Sequence, residues 1–139
     1  VNWHRQVVTF DGTLGAGQCV SKTYIDGVLK TARSSLNNTL TAPGALNFLV
    51  GNRSGGDSST AWHGWVCDLL LYNRVLTDAE VLADWKKQPV DATALVIDMP
   101  MDDGTGVATN RTTSGVGNAT LSSGARWISK GIYPGIMPK

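Results

Sequence analysis

Glutamate is almost missing from this 139-residue chain: Glu80 is the only one, beside ten aspartates. Glycoside hydrolysis needs two carboxyls flanking the bond, one with a raised pKa. Glu80 falls in a helix-capping pattern, and Asp102-Asp103 precede Gly104 in what reads as a turn, so no catalytic pair stands out. Charge is scarce too, at 17% of residues and a formal net of +1. The lysines and arginines are scattered, and without a basic stripe no nucleic-acid partner is expected. No apolar run approaches the length of a bilayer span, so no membrane insertion is expected. The chain shows no signal peptide and no initiator Met, and the expectation is a chain processed or excised from something longer. Cysteine is limited to Cys19 and Cys67, too few for a cysteine-built zinc site. They are either one disulfide or two buried thiols; a bridge would close a long loop, contributing ~4 kcal/mol in the chain-entropy picture. His4 and His63 lie far apart, and there is no G-x-S-x-G elbow. The chain is expected not to be an enzyme.

What the sequence has is glycine, 16 residues, and a wealth of Ser, Thr and Asn. These punctuate short apolar stretches, the pattern of an all-β domain. The segment from Trp3 to Phe10 is β-rich and ends at the turn pair Asp11-Gly12. A second strand runs from about Cys19 to Ile25, and Asp26-Gly27 turns it into Val28–Thr31; Asp-Gly between apolar runs is the strongest short-range hairpin signal. Residues 33–45 read as a loop, Leu46–Val50 as a strand, 52–60 as a second loop, and Trp65–Tyr72 as the most apolar strand. One short helix is expected near residues 77–87. Thr77 and Glu80 make a capping box, Leu76 and Val81 a hydrophobic staple. Val81, Leu82 and Trp85 give it one apolar face, and Pro89 closes it. Strands follow at Ala94–Met101 and near Ala125–Ser129.

Three segments resemble the laminin-G-like, concanavalin-A-like lectin/glucanase jelly-roll family. Trp3-His4-Arg5-Gln6-Val7-Val8-Thr9-Phe10-Asp11-Gly12 resembles its W-H-x-x-A/V-V-T-Y/F-D-G strand, and Tyr24-Ile25-Asp26-Gly27-Val28 its Y-V/I-D-G-V hairpin. Trp62 to Arg74 resembles its closing strand, which a short helix follows. The resemblance implies an antiparallel β-sandwich, with residues 1–88 as the closing part of such a domain. Residues 89–139 carry Leu95-Val96-Ile97-Asp98-Met99, then Asn118-Ala119-Thr120-Leu121 and Gly124-Ala125-Arg126-Trp127, which resemble the opening strands. An opening thus follows an ending. The chain is a circular permutation, a stretch excised from a tandem array, or a donor of its tail strand to a neighbour.

Some relatives are glycosidases, but the E-x-D-x-x-E strand motif is absent here. The displaced opening strand, together with a closing strand apolar on both faces, points instead to a non-enzymatic extracellular module. It would serve adhesion or structural assembly on a cell surface, a fibre or a virion, assembling by sandwich contacts and strand exchange. Its partners would be copies of itself or repeat neighbours. The alternative is a carbohydrate-binding module appended to a larger protein, with Trp62 or Trp65 stacking on a glycan. Trp62, Trp3 and Trp127 fill framework positions of the family, so Trp62 is expected to be buried and Trp65 has the least structural excuse.

Alternation along the closing strand puts Cys67, Leu69 and Leu71 on one face and Val66, Asp68, Leu70 and Tyr72 on the other. A strand apolar on both faces should be covered on both, by the helix through Val81 and Trp85 or by a neighbouring subunit. Leu70, Tyr72, Leu95, Ile97 and Met99 are therefore the assembly candidates. A calcium ion is the one cofactor considered, through Asp57, Asp102 or Asp103, since hard cations prefer oxygen ligands; loop aspartates are otherwise simply solvated. Four N-x-S/T sequons, at Asn37, Asn52, Asn110 and Asn118, are glycosylation candidates in expected loops.

Overall fold

The computed structural model describes residues 3–15, 17–36, 50–51, 62–101 and 107–120. These fall in two compact units. The first takes residues 3–36 and 72–94, the second 50–51, 62–71, 95–101 and 107–120, both within the described ranges.

The first unit is an antiparallel sheet with a helix packed on it. Its strands are β1 (Gln6–Asp11), β2 (Cys19–Ile25) and β3 (Val28–Leu36), in that spatial order. Asp26 and Gly27, at φ 55° and 74°, form the two-residue turn, with Ile25 facing Val28. Two left-handed residues match the twist of the flanking strands. β3 continues to Leu36, into residues expected to be loop, with register shifts between Cys19 and Ser21 and between Thr23 and Tyr24.

Helix α1 (Asp78–Trp85) begins as its sequence dictates. The Thr77 hydroxyl accepts from the Glu80 N–H at 3.2 Å, and the Glu80 carboxylate accepts from the Thr77 N–H at 2.8 Å. Leu76 and Val81 are both buried, as a staple requires, in a core with Tyr24 that Val7, Tyr72 and Val90 complete. Burying Leu76 and Val81 contributes roughly 1.5–3 kcal/mol each. The helix ends in a Schellman motif: the Lys87 N–H bonds to Asp84 O at 3.1 Å and the Gln88 N–H to Ala83 O at 2.9 Å,. Lys87 takes the left-handed position at φ 57°. Leu82 and Trp85, expected on the buried face, instead cover the hairpin turn and stay part-exposed. A Cβ on Gly27 would meet both at 3.1 Å.

In the second unit β5 (Leu95–Met99) is hydrogen-bonded beside β4 (Leu69–Tyr72), whose last residue belongs to the first unit. Flanking bonds from Asp68 N–H to Pro100 O and from Asn73 N–H to Ala94 O make the pair antiparallel. Ile97, Met99 and Ala108 form the core, with Leu69, Met101 and Ala119 packed against it. Two short strands, β6 (Val107–Ala108) and β7 (Ala119–Thr120), pair antiparallel. The closing strand is shorter than expected. Asp68 sits at φ 50°, outside the extended region, so the alternation from Val66 to Tyr72 breaks there and residues 65–67 are not strand. The expected strands at residues 46–49 and 125–129 lie outside the described residues.

Candidate functional site

The exposed side of the three-stranded sheet is the first candidate. Along β1, Val7, Thr9 and Asp11 turn towards the core side while Val8 and Phe10 turn outwards, 60% and 37% exposed. Among the described residues β1 and β3 are the sheet's edges. They differ in how they are guarded. β3 carries Lys30 and Arg33 and is kinked at Ser35, φ 63°, which are devices that discourage strand addition,. From Gln6 to Phe10, β1 carries no charge at all.

The helix is clasped to the sheet by its acids. Arg5 grips Asp84 through Nε (2.7 Å) and Nη2 (2.8 Å), with both side chains largely buried. Lys22 Nζ and the Tyr24 hydroxyl both donate to Asp78 Oδ1, at 2.8 and 2.7 Å. Arg74 forks onto Glu80 at 3.0 and 2.7 Å and lies over the Tyr72 ring. The Arg74 guanidinium, then the Thr77 N–H, hold the Glu80 carboxyl down at about 2. Its proton is lost over the whole useful pH range, and its oxygens are taken. Lys22 and Tyr24 likewise lower Asp78. At the hairpin, Asp26 accepts from His4 Nδ1 at 2.8 Å and from the Arg5 N–H at 2.9 Å, bonds that lower its pKa in that order.

The second candidate is aromatic. Trp62 is 61% exposed, contrary to the burial expected of a framework position. Its backbone N–H donates to Gly51 O, and its indole folds over Gly64, where a Cβ would lie 2.7 Å from Nε1. The ring is therefore propped on glycine backbone instead of inserted into a core. Trp65 is part-exposed, and Val66 beside it is exposed too. Trp3 is half-buried, and Trp127 lies outside the described residues.

The other candidates are dispersed. Of the assembly set, Ile97 and Met99 are buried in their own chain, Tyr72 packs on the Tyr24 core, and Leu70 and Leu95 are half-buried. Cys19 and Cys67 form no disulfide and belong to separate units. The buried Cys19 Sγ donates to Gly15 O at 3.3 Å. Asn110 is wholly absorbed by structure. Its Oδ1 accepts from the Asp98 and Thr112 N–H groups, and its Nδ2 donates to Val96 O and Val116 O. A glycan on that nitrogen would remove a donor the fold uses. Asn118 is exposed, with its Oδ1 accepting from the Asn110 N–H. Asn37, Asn52, Asp57, Asp102 and Asp103 lie outside the described residues. Among the described residues no three His, Cys, Asp or Glu side chains are grouped to hold a metal, and no helix is long and apolar enough to cross a membrane.

Antiparallel sheets, a two-residue Asp-Gly hairpin and one stapled helix define a mostly-β module of the sandwich class. The family model for the concanavalin A-like lectin/glucanases superfamily, of laminin G type, matches residues 2–82, and the chain belongs to that family. No curated protein and no solved structure matches it.

Proposed function

We propose that this chain is a non-enzymatic adhesion or structural-assembly module that works outside the cell and associates through β1. The observation that carries the reading is the contrast between the sheet's two edges. A bare edge strand with an apolar outer face is a template for a strand from another chain, and β1 is uncharged over five residues with Val8 and Phe10 outward. Ile97 and Met99 are spent on the chain's own core, so assembly falls to β1 instead of β5. The engagement of Glu80 by Arg74 and Thr77 supports a non-catalytic role, and the exposed Asn118 sequon suits an extracellular setting. Sedimentation velocity over a concentration series tests it. The full chain is expected to self-associate, and Val8→Lys with Phe10→Lys to yield a monomer with unchanged circular dichroism. A full chain that stays monomeric at its solubility limit overturns the proposal.

A second reading, glycan binding, is favoured by the exposed indole of Trp62 beside Trp65. Glycan-array screening of the full chain and of Trp62→Ala and Trp65→Ala decides it. Silence of the full chain across the array removes this reading.

A further inference from the structure

The bare edge of the first unit is self-complementary. The Asp26 N–H donates to Arg5 O at 2.9 Å, and positions 5 and 26 continue the register in which Gln6 faces Ile25 and Val7 faces Tyr24. Along an antiparallel pair, hydrogen-bonded and non-hydrogen-bonded positions alternate. Val7, Thr9 and Asp11 therefore spend their N–H and C=O groups on β2, while those of Gln6, Val8 and Phe10 point away from the sheet. Among the described residues no strand lies beyond them. The side chains of the same three residues are exposed.

An antiparallel copy of β1 laid on this edge has few usable registers, because its outward-pointing groups must meet their counterparts. Val8 can face Gln6, Val8 or Phe10 of the copy. With Val8 on Val8, all three positions are used: Gln6 faces the copy's Phe10, and Phe10 the copy's Gln6. Phe10 then lies diagonal to the copy's Val8, within reach of an aromatic side chain. Val8 and Phe10 of both chains so form one apolar row. On the opposite face Val7 meets Thr9, and Arg5 meets Asp11, once at each end of the contact. Asp11 is ionised at neutral pH, since bonds from the Thr13 hydroxyl and N–H hold its carboxyl below the ordinary range. Sliding the copy by two residues sets Asp11 opposite Trp3 or Val7 and removes both charge pairs. The other edge discourages further growth, through Lys30, Arg33 and the kink at Ser35,.

We propose that two copies of this chain join through β1 in an antiparallel, two-fold dimer with Val8 opposite Val8. This pairing rests on the assembly reading above and narrows it to one closed contact, since an isologous interface is satisfied by two copies. Two short strands bury little beside the roughly 1,200–2,000 Å² of a stable interface, so a Kd on the order of 10 µM or weaker is expected.

Disulfide trapping of the full chain tests the register. Facing Cα atoms of a hydrogen-bonded pair lie about 5.5 Å apart, inside disulfide range. Position 10 and its own copy would be about 13 Å apart along the strands, outside that range. Under mild oxidation Val8→Cys should bridge to itself. Gln6→Cys and Phe10→Cys should bridge to each other when mixed, and neither to its own copy. Peptide mapping identifies each bridge and separates those made by Cys19 or Cys67. Asp11→Asn keeps an oxygen for Thr13 and should raise the Kd about fivefold by removing both charge pairs. Sedimentation velocity of the unaltered chain should level off at a dimer. Bridges from 6 to 6 or from 10 to 10, no bridge at these positions, growth past the dimer, or an unchanged Kd in Asp11→Asn each overturns this pairing while self-association stands. A chain that stays monomeric at its solubility limit overturns both.

Discussion

The two units are held together by different chemistry. In the first, three acids of α1 each meet a cation from outside the helix: Asp78 with Lys22, Glu80 with Arg74, Asp84 with Arg5. In the second, neutral groups do the corresponding work. The Val96 carbonyl accepts from Asn110 Nδ2, Thr112 Oγ and Ser114 Oγ, tying the 110–116 turn to β5. Both arrangements satisfy a turn or a helix end, and the charge pairs of the first respond to protons and salt. The difference teaches that one chain can fasten a helix with charge pairs and a turn with neutral hydrogen bonds under a single fold family.

The largest effect should come from the second unit's core. Ile97 is 4% exposed between Met99 and Ala108, and Ile97→Ala should cost about 3 kcal/mol through lost burial and the cavity left,. Residue-resolved hydrogen exchange is the measurement of choice, because two units need not open together. Protection should fall in β5 and β6 and persist in α1. Equal loss in both units would show that they behave as one cooperative body and erase the comparison.

Acid should act the other way round, and more weakly, since these pairs are partly solvated and screened. Asp26, Asp78 and Glu80 all have folded pKa values below their ordinary ones. A lowered pKa means the unfolded state binds more protons, so stability is fully present above the ordinary carboxylate range and drains as pH falls towards about 2,. Exchange at low pH should loosen α1 and the hairpin before the turn tied by Asn110. Arg74→Met should flatten that acid response. An Asn110-tied turn that loosens first would refute the assignment of the two chemistries.

Much of the first unit was legible in the residues, because its signals are local. Asp26-Gly27 needs two left-handed residues, and Thr77, Glu80, Leu76 and Val81 specify a helix start within six positions. What the sequence could not display was the clasp: Arg5 and Asp84 are 79 residues apart, and neither has a pattern that reveals the other. Trp62 was misread because a framework position implies burial only if a core surrounds it, and here Gly64 lies beneath the ring instead. The break at Asp68 was hidden for a related reason. An apolar run reads as continuous strand, while one left-handed residue ends the alternation. Asn110 bore a sequon, which concealed that both ends of its amide are structural.

The smallest expected effect sharpens the first unit alone. Lys87 closes the Schellman motif in a left-handed conformation that a side chain disfavours and glycine does not,. Lys87→Gly relieves that strain, while glycine adds freedom to the unfolded chain and the lysine side chain is lost. The balance should favour the variant by up to about 1 kcal/mol. Urea unfolding monitored at α1 should show a higher midpoint with an unchanged slope, because no surface burial changes. Exchange in β5 and β6 should not move. A lower midpoint would mean that the Lys87 side chain holds the helix end more firmly than its backbone strains it, adding a fourth charged tie to the unit already rich in them.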